Sequence, residues 1–576
     1  MARLIIAVLV FSVAAHADAQ VVNQQQAVQG GAPARDQRAA PRTGTAAIRG
    51  RIFAADTGRP LRRARISVSA PELGQEGRTT STNPDGRYEI KDLPAGRYNL
   101  TVNRNGYIQL RYGQRRPLEQ GKPLQLADRQ VIENVDFSLP RMSLITGRVF
   151  DEAAEAISGV SVMALRSMYF EGRRRLVPAG PMVQTDDAGQ YRLLGLVPGT
   201  YYVMAFTRET WTVTEGGVET TFGYSPTYVG GTVSAGDAKR ITVGIGQEAA
   251  SSDLSLIPGR AANISGTAVD SHGQPLAGRG VSLVQEFRSP NASSMFSSSG
   301  ATVNPDGSFT IKNVTPGEYK LTVAGSTQGK PNPFGPTPES AAVPIAVAGV
   351  DIDNVSLVTS AGWSVSGQVT SDGGAPLNVA RERLLINSRT LQPDFQPRTG
   401  NPNPDSGRVK DDWTFVVSNL FGQIVLRPNV PDPWVLKAIL HNGRDITDAP
   451  LEMKSGEELS GVEVVLTTRQ TMLTGQLTDE RGGAAIDGTV IVFATDAEKW
   501  TESSRFVRTA RPDQQGQYQI RGLPTGEYLA VAMEYVQEGL WNDPEFLESV
   551  RRYGQRITLA EGASQTVALK LVAAVP

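Results

Sequence analysis

Residues 83–100 of the chain read NPDGRYEIKDLPAGRYNL, and this stretch decides the fold. The pair Asp85-Gly86 suits a tight turn, because glycine readily adopts the positive φ that such turns require. A second turn is indicated at Pro94-Ala95-Gly96, where the proline presets the backbone. Between the turns apolar and polar residues alternate, as in Tyr88-Glu89-Ile90-Lys91. The stretch therefore predicts a strand with one buried face, held between two turns.

The same pair of turns recurs three times further along the chain. The two turn glycines are ten residues apart in every copy, and the pairs are Gly86 and Gly96, Gly189 and Gly199, Gly307 and Gly317, and Gly516 and Gly526. A tyrosine stands two residues after each second glycine. We expect these rings to face the core or to brace a corner; they are Tyr98, Tyr201, Tyr319 and Tyr528.

A second signature begins each repeat: an alternating strand with a glycine at its centre, such as Ile48-Arg49-Gly50-Arg51-Ile52-Phe53. It occurs five times, and its central glycines are Gly50, Gly147, Gly266, Gly367 and Gly475. The intervals between them are 97, 119, 101 and 108 residues, each about the length of a small sandwich domain. Each repeat closes with a further alternating strand, such as residues 131–139. The chain is thus predicted to be a tandem array.

The fourth repeat departs from the pattern. Asp412 stands where the first turn glycine is expected, whereas Gly422 keeps the ten-residue spacing. Ile424 replaces the tyrosine that follows in the other repeats. An additional strand is indicated at residues 434–439, before the strong turn pair Asn442-Gly443. We interpret this repeat as the same fold with a rearranged middle.

With 576 residues, the chain is too long for one hydrophobic core, and the repeats set the expected division. The fold class expected is all-β: five tandem Ig-like or prealbumin-like antiparallel β-sandwiches. Their short joints favour a semi-rigid rod. The predicted segments are a signal peptide (1–19), a flexible linker (20–45), and β-sandwiches at 46–141, 142–260, 261–360, 361–469 (divergent) and 470–576, named repeats 1 to 5 below.

The N-terminus has the pattern of an export signal. Arg3 supplies a positive charge, residues 4–15 are apolar, and Ala17-Asp18-Ala19 fits the small-x-small cleavage rule. Residues 20–45 are rich in Gln, Ala, Gly and Pro and read as a flexible tether. The rest of the chain has no apolar stretch of membrane-spanning length, so we expect no transmembrane segment in the mature chain. The predicted location is the periplasm or the extracellular surface.

These motifs resemble the carboxypeptidase regulatory-like domain. The resemblance rests on the first strand with its central glycine, on Asp85-Gly86-Arg87-Tyr88, and on Leu93-Pro94-Ala95-Gly96-Arg97-Tyr98. It is clear in repeats 1, 2, 3 and 5 and weak in repeat 4. It implies a transthyretin-like, seven-stranded sandwich grouped with carbohydrate-binding-like folds. Strings of such domains behind a signal peptide resemble exported bacterial proteins. The motif consists of turn and core residues and therefore indicates fold, not function.

Catalytic chemistry finds little support in the composition. The chain has three His and no Cys. His16 belongs to the signal peptide, while His272 and His441 lie in different repeats and lack an H-x-x-E or H-E-x-x-H neighbourhood. No G-x-S-x-G motif is found. We therefore expect no enzyme activity, no catalytic residues, no metal site and no cofactor.

Charge is unevenly distributed along the chain. The formal net charge is -1, which gives no reason to expect nucleic acid as a partner. Residues 46–141 carry 17 Lys and Arg against 10 Asp and Glu, a balance of +7. Residues 470–576 carry 10 against 14, a balance of −4. The imbalance is either drift among solvated surfaces or a sign that repeat 1 rests on an anionic surface.

Aromatic residues in polar, turn-like contexts are the candidate binding residues, because sugars are held by rings stacked on their apolar faces. The carbohydrate-binding candidates are Trp500, Trp541, Tyr107, Tyr112, Tyr224 and Tyr228. In the competing interpretation these rings close the ends of their own sandwiches. We therefore expect an exported, non-catalytic, multi-module protein that binds a polysaccharide or cell-wall glycan. The alternative is a structural spacer or adhesion stalk that acts through contacts with an envelope protein.

Overall fold

A computed structural model of the chain describes residues 43–74, 77–289, 292–324, 339–392, 406–502 and 504–572. The predicted signal peptide and most of the predicted linker lie outside these residues. Strands dominate every repeat, and the single α-helix among the described residues is Pro544–Val550. The predicted all-β class is confirmed. The repeat boundaries themselves stay predictions.

Repeat 1 forms two facing sheets. Its strands are β1 (Ala46–Ala54), β2 (Arg65–Ser69), β3 (Arg78–Ser81), β4 (Arg87–Leu93), β5 (Gly96–Asn103), β6 (Leu110–Arg111), β7 (Leu124–Leu126), β8 (Val131–Ile132) and β9 (Phe137–Leu139). In one sheet β1 lies between antiparallel β4 and parallel β8 and β9. In the other, β2 lies between β3 and β5, and β6 and β7 continue from β5. A core of buried side chains from Ala46 to Leu139 fills the space between them.

Repeat 2 repeats this plan and adds a third sheet. Its strands are β10 (Ser143–Phe150), β11 (Ser161–Phe170), β12 (Arg173–Pro178), β13 (Val183–Gln184), β14 (Gln190–Leu196), β15 (Gly199–Phe206), β16 (Thr210–Glu215), β17 (Val218–Ser225), β18 (Thr227–Tyr228), β19 (Ile241–Val243), β20 (Glu248–Ala249), β21 (Leu254–Ser255) and β22 (Ile257–Arg260). Strands β16, β17 and β22 form the additional three-stranded sheet, in the insertion that makes this repeat the longest.

Repeat 3 forms two sheets from the seven strands that its described residues contain. They are β23 (Ala262–Val269), β24 (Gly280–Ser289), β25 (Ala292–Thr302), β26 (Ser308–Val314), β27 (Gly317–Ala324), β28 (Ser340–Val347) and β29 (Ile352–Val358). The sheet orders are β26-β23-β29 and β25-β24-β27-β28.

Repeat 4 has a rearranged middle, as its sequence indicates. Its strands are β30 (Trp363–Ser371), β31 (Leu385–Thr390), β32 (Thr414–Leu420), β33 (Ile424–Asn429), β34 (Val435–His441), β35 (Arg444–Asp445) and β36 (Glu458–Thr467). The extra strand β34 joins the sheet of the first strand, in the order β32-β30-β36-β34-β35. The expectation that Asp412 replaces the turn glycine is wrong by one residue. Trp413 has a φ of 64° and donates its N–H to Lys410, as Gly86 does to Asn83.

Repeat 5 carries the helix. Its elements are β37 (Met472–Thr478), β38 (Thr489–Ala494), β39 (Val507–Ala510), β40 (Gln517–Arg521), β41 (Gly526–Met533), α1 (Pro544–Val550), β42 (Gln555–Leu559), β43 (Ser564–Thr566) and β44 (Leu569–Val572). The Asp543 carboxylate caps α1 by accepting from the N–H of Glu545. Leu547 and Val550 are fully buried against Phe493 and its neighbours, so α1 covers the outer face of β38 and β41.

The four tyrosines that follow the second turn are corner residues, as predicted. Each is at most 6% exposed. Each hydroxyl donates to the carbonyl four residues earlier, and the pairs are Tyr98 with Pro94, Tyr201 with Val197, Tyr319 with Thr315, and Tyr528 with Pro524. The second turn and the tyrosine that follows it are therefore a self-contained brace, in which the ring fills the core and its hydroxyl holds the preceding turn.

The predicted semi-rigid rod is wrong, because repeats 1 and 5 contact each other. The backbone N–H of Glu538 donates to the carbonyl of Leu118 at 2.7 Å. Lys122 is 6% exposed, and its ammonium donates to the carbonyl of Ile486 at 3.0 Å. Arg115 forms an ion pair with Asp487. Repeat 5 is thus the acidic surface on which part of basic repeat 1 rests.

Candidate functional site

The additional sheet of repeat 2 is built on a hairpin with a two-glycine turn. Gly216 and Gly217 have φ of 59° and 81°, the conformation that a tight hairpin turn requires and that glycine adopts without strain. The turn sets a register in which Trp211 lies opposite Phe222. Because side chains alternate along a strand, Trp211 and Phe222 share one face of the sheet with Tyr224.

Three aromatic rings meet on this face. The ring centroids of Trp211 and Tyr224 are 4.8 Å apart with planes tilted by 46°, and those of Trp211 and Phe222 are 6.1 Å apart and stacked at 22°. Tyr224 is 7% exposed, whereas Trp211 and Phe222 are half-buried. The buried tyrosine therefore supports two rings that remain partly open to solvent.

A hydrogen bond fixes Tyr224 and one wall of the site. Its hydroxyl donates to a carboxylate oxygen of Glu152 at 2.7 Å. Burial, followed by the hydrogen bond and charge of Glu152, raises the pKa of Tyr224 above its usual value. The hydroxyl therefore remains a donor at neutral pH, and the Glu152 carboxylate is held beside the rings.

The rings and carboxylates surround a cavity of about 290 Å³. Its lining residues are Glu152, Trp211, Val213, Glu215, Thr220, Phe222 and Pro258. Apolar surface and a small number of polar groups at fixed positions are typical of a small-molecule site. Cavities of about 420 and 470 Å³ lie in repeat 4, but the one ring in their walls, Phe415, is fully buried.

The structure separates the sequence-predicted site residues. Tyr224 lies behind the cavity, where its ring contacts Trp211, but Tyr228 packs in a different cluster with Met163, Met204 and Phe206. Burial raises the pKa of Tyr228. The two tyrosines that flank Pro226 therefore do not form one site.

In repeat 1, Tyr107 and Tyr112 are half-buried against the core of their own sandwich. The guanidinium of Arg141 lies 5.4 Å from the Tyr107 ring centroid, and the ammonium of Lys122 lies 5.9 Å from that of Tyr112. Tyr112 also meets Phe137 edge to face at 6.5 Å. Both rings thus already have partners within the chain.

In repeat 5, the expectation of an exposed ring is wrong for Trp500. It is 4% exposed, its indole N–H donates to the carbonyl of Ala494 at 2.8 Å, and its ring packs edge to face on Phe493. The polar sequence around Trp500 belongs to a short 3₁₀ turn at Ala497–Lys499 that folds the ring inward. Trp541 is half-buried and packs against the cluster beneath α1.

Sequence reasoning missed Trp211 and Phe222. The signal was present in TWTVTEGGVETTFGYS (residues 210–225), where two alternating runs flank a glycine pair. Interpreted as a hairpin, that pattern places Trp211 opposite Phe222. It also places Trp211 and Glu215 on the same face of the hairpin. Neither the role of Glu152 nor the support from Tyr224 follows from this pattern, because Glu152 is about 60 residues distant in sequence.

No group of three or more His, Asp or Glu that could hold a metal ion occurs in the described part of the chain. Within the same residues, no helix has both the length and the apolar character needed to cross a bilayer.

Two of the repeats match the model of a known domain family. The model of the carboxypeptidase regulatory-like domain matches residues 47–140 and 263–332. These matches fall in repeats 1 and 3. The resemblance inferred from the turn and strand motifs is confirmed there. The carboxypeptidase regulatory-like matches cover well under half of the chain and do not include the cavity of repeat 2. No curated protein matches the sequence.

The solved structures that match the chain share little sequence with it. The TIE protein of Bacillus anthracis is 10% identical over 75% of this chain and 74% of its own, with a TM-score of 0.15. The minor pilin of Streptococcus agalactiae is 10% identical over 37% of this chain and 95% of its own, with a TM-score of 0.21. The shaft pilin SpaA from Lactobacillus rhamnosus GG is 13% identical over 38% and 98%, with a TM-score of 0.18. Similarity at this level carries no information about activity or partners.

Proposed function

We propose that the chain is an exported, non-catalytic binding protein that holds a carbohydrate in the cavity beside Trp211. The observation that carries this proposal is the half-buried Trp211 ring, supported from behind by Tyr224 and flanked by the carboxylates of Glu152 and Glu215. A sugar presents an apolar C–H face and a rim of hydroxyl groups. Partly open rings complement the face, and carboxylate oxygens accept hydrogen bonds from the rim.

The rigidity of the site favours binding without chemistry. Trp211 is held by ring contacts with Phe222 and Tyr224, and Glu152 is held by the Tyr224 hydroxyl. A ring whose rotamer is already fixed loses little conformational entropy when a ligand stacks on it. The export proposal rests on the signal-like residues 1–19, which lie outside the described part of the chain.

A second candidate is a structural spacer that acts through protein contacts. The observation that favours it is the packing of Trp500, Trp541, Tyr107 and Tyr112 on their own sandwiches. Repeat 5 also contacts repeats 1, 2 and 4 through ion pairs. A protein with this internal bracing would hold its partners at a fixed geometry.

The test is a binding assay with residues 20–576 on a panel of insoluble polysaccharides and purified cell wall. The variants are Trp211→Ala and, as the matched control, Trp541→Ala, which removes a half-buried indole outside the cavity. We expect saturable retention that is lost in Trp211→Ala and kept in Trp541→Ala. Retention lost only in Trp541→Ala would move the site to repeat 5. No retention of the wild type would leave the spacer as the better proposal.

A further inference from the structure

We infer that the cavity beside Trp211 selects an amino sugar with a free, protonated amine over its N-acetylated or hydroxyl counterpart. This inference rests on the proposed function and names the class of sugar that the site takes. It is drawn from the charge of the cavity wall and from the position of that charge relative to the rings.

The cavity wall is acidic. Its charged lining residues are Glu152 and Glu215, and no Lys or Arg is among the lining residues. Asp151 and Glu209 lie close enough to act electrostatically on the Tyr224 hydroxyl in the same direction as Glu152. Arg260 lies opposite Phe222 in the register of β17 and β22, but it does not line the cavity. The charged groups that line the cavity therefore favour a cation.

The rings favour the same charge. A cation over the face of a tryptophan is attracted by the negative face of its π-system. Trp211 and Phe222 line the cavity together with Glu152 and Glu215, and Glu152 accepts a hydrogen bond from Tyr224, whose ring contacts Trp211. An ammonium group on the sugar ring would therefore donate a charge-assisted hydrogen bond to a glutamate carboxylate while the sugar face stacks on Trp211. An acetamide or hydroxyl group at the same carbon has no charge and loses this part of the attraction.

The acidic wall also disfavours anionic sugars. A uronic acid would bring a carboxylate beside Glu152 and Glu215, and the like charges would repel each other. The volume of about 290 Å³ is small for a ligand cavity, so it holds one sugar unit of a longer chain.

The experiment compares three β-1,4-linked oligosaccharides of equal length that differ only at C2: amine, N-acetyl and hydroxyl. Binding to residues 20–576 is measured by calorimetry at mildly acidic pH, where the amine is protonated and carboxylates remain ionised. We expect the amine form to bind roughly tenfold more tightly than the other two. In Glu152→Gln/Glu215→Gln the preference for the amine form should fall to the roughly threefold part that the Trp211 face supplies, because glutamine keeps an acceptor for Tyr224 but removes the charge.

Two controls separate selection from general attraction of a polycation. Glu452→Gln/Glu480→Gln removes two exposed carboxylates in other repeats and should leave the preference unchanged. Trp211→Ala keeps every charge and should abolish amine-form binding; if it binds the amine form as well as the wild type does, the inference is overturned. Equal wild-type affinity for the three sugars, or tighter binding of the N-acetyl form, also overturns it while the proposed function stands. If no sugar binds, the proposed function falls as well.

Discussion

The Tyr88 hydroxyl donates a 2.7 Å hydrogen bond to the carbonyl of Val135, which lies between β8 and β9 at the end of repeat 1. Tyr518 makes the same bond to Val567 at 2.6 Å in repeat 5. The central glycine of the first strand faces this carbonyl, and a Cβ at Gly50 would overlap the Val135 oxygen. In repeat 1, Gly50 and Tyr88 therefore both face the carbonyl group of Val135.

Gly50→Ala should destabilise repeat 1 by about 2 kcal/mol, because the added methyl group overlaps backbone that cannot move freely. Hydrogen exchange of the repeat 1 amides measures the effect without assuming that all repeats unfold together. Gly280→Ala is the control, since a Cβ at Gly280 meets no atom within 4 Å. Equal protection in both variants would contradict the close-approach explanation.

Tyr88→Phe should destabilise repeat 1 by about 1 kcal/mol, because the ring still fills the core but the buried Val135 carbonyl loses its donor. The same hydrogen-exchange measurement reports the change. Repeats 3 and 4 provide a natural comparison within the chain. In them the residue opposite the central glycine is Phe309 or Phe415, which has no hydroxyl to donate. Unchanged exchange in Tyr88→Phe would show that the carbonyl needs no partner.

The chain should lose stability in alkali through its buried tyrosines. Burial raises the pKa of Tyr518 to about 12, above the value of roughly 10 for an exposed tyrosine. The folded state therefore binds the proton more tightly than the unfolded state does. Its contribution is complete below the unfolded pKa and is lost as the pH rises from about 10 to 12. Denaturant titrations across this interval should show falling stability, and Tyr518→Phe should reduce the slope. A slope unchanged in Tyr518→Phe would contradict the assignment.

Lys122→Glu should separate repeats 1 and 5. Lys122 is buried in the contact, with its ammonium 4.0 Å from the Asp487 carboxylate, so the variant places like charges together in a poorly solvated site. The contact between repeats 1 and 5 should lose about 3 kcal/mol of stability, which is enough to open it in a large fraction of molecules. The chain has no cysteine, so paired cysteine spin labels on the two repeats can report the distance.

The control for this opening is Arg129→Glu, which makes the same charge change at a side chain that is 86% exposed. Its label distances should match those of the wild type. If the distribution of label distances in Lys122→Glu is identical to that of the wild type, the backbone hydrogen bond between Leu118 and Glu538 holds the contact without the Lys122 ammonium.

Much of the candidate site could not be predicted from the sequence. Trp500 stands in a polar segment and yet is buried, because a short 3₁₀ turn directs the ring toward Phe493. Trp211 is half-open because a hairpin turn places it at the edge of a small sheet. Local composition is similar around both, so exposure depends on which neighbours the folded chain brings over each ring.

The sequence by itself determined the repeated strand, turn and corner, since these depend on nearest neighbours: a glycine at a tight turn, alternation along a strand, and a tyrosine that reaches four residues back. Only the tertiary structure decided that repeat 1 rests on repeat 5 and that Glu152 meets Tyr224. Those contacts join residues far apart in the chain. Their energies depend on distance and burial in space, which neither period nor spacing in the sequence encodes.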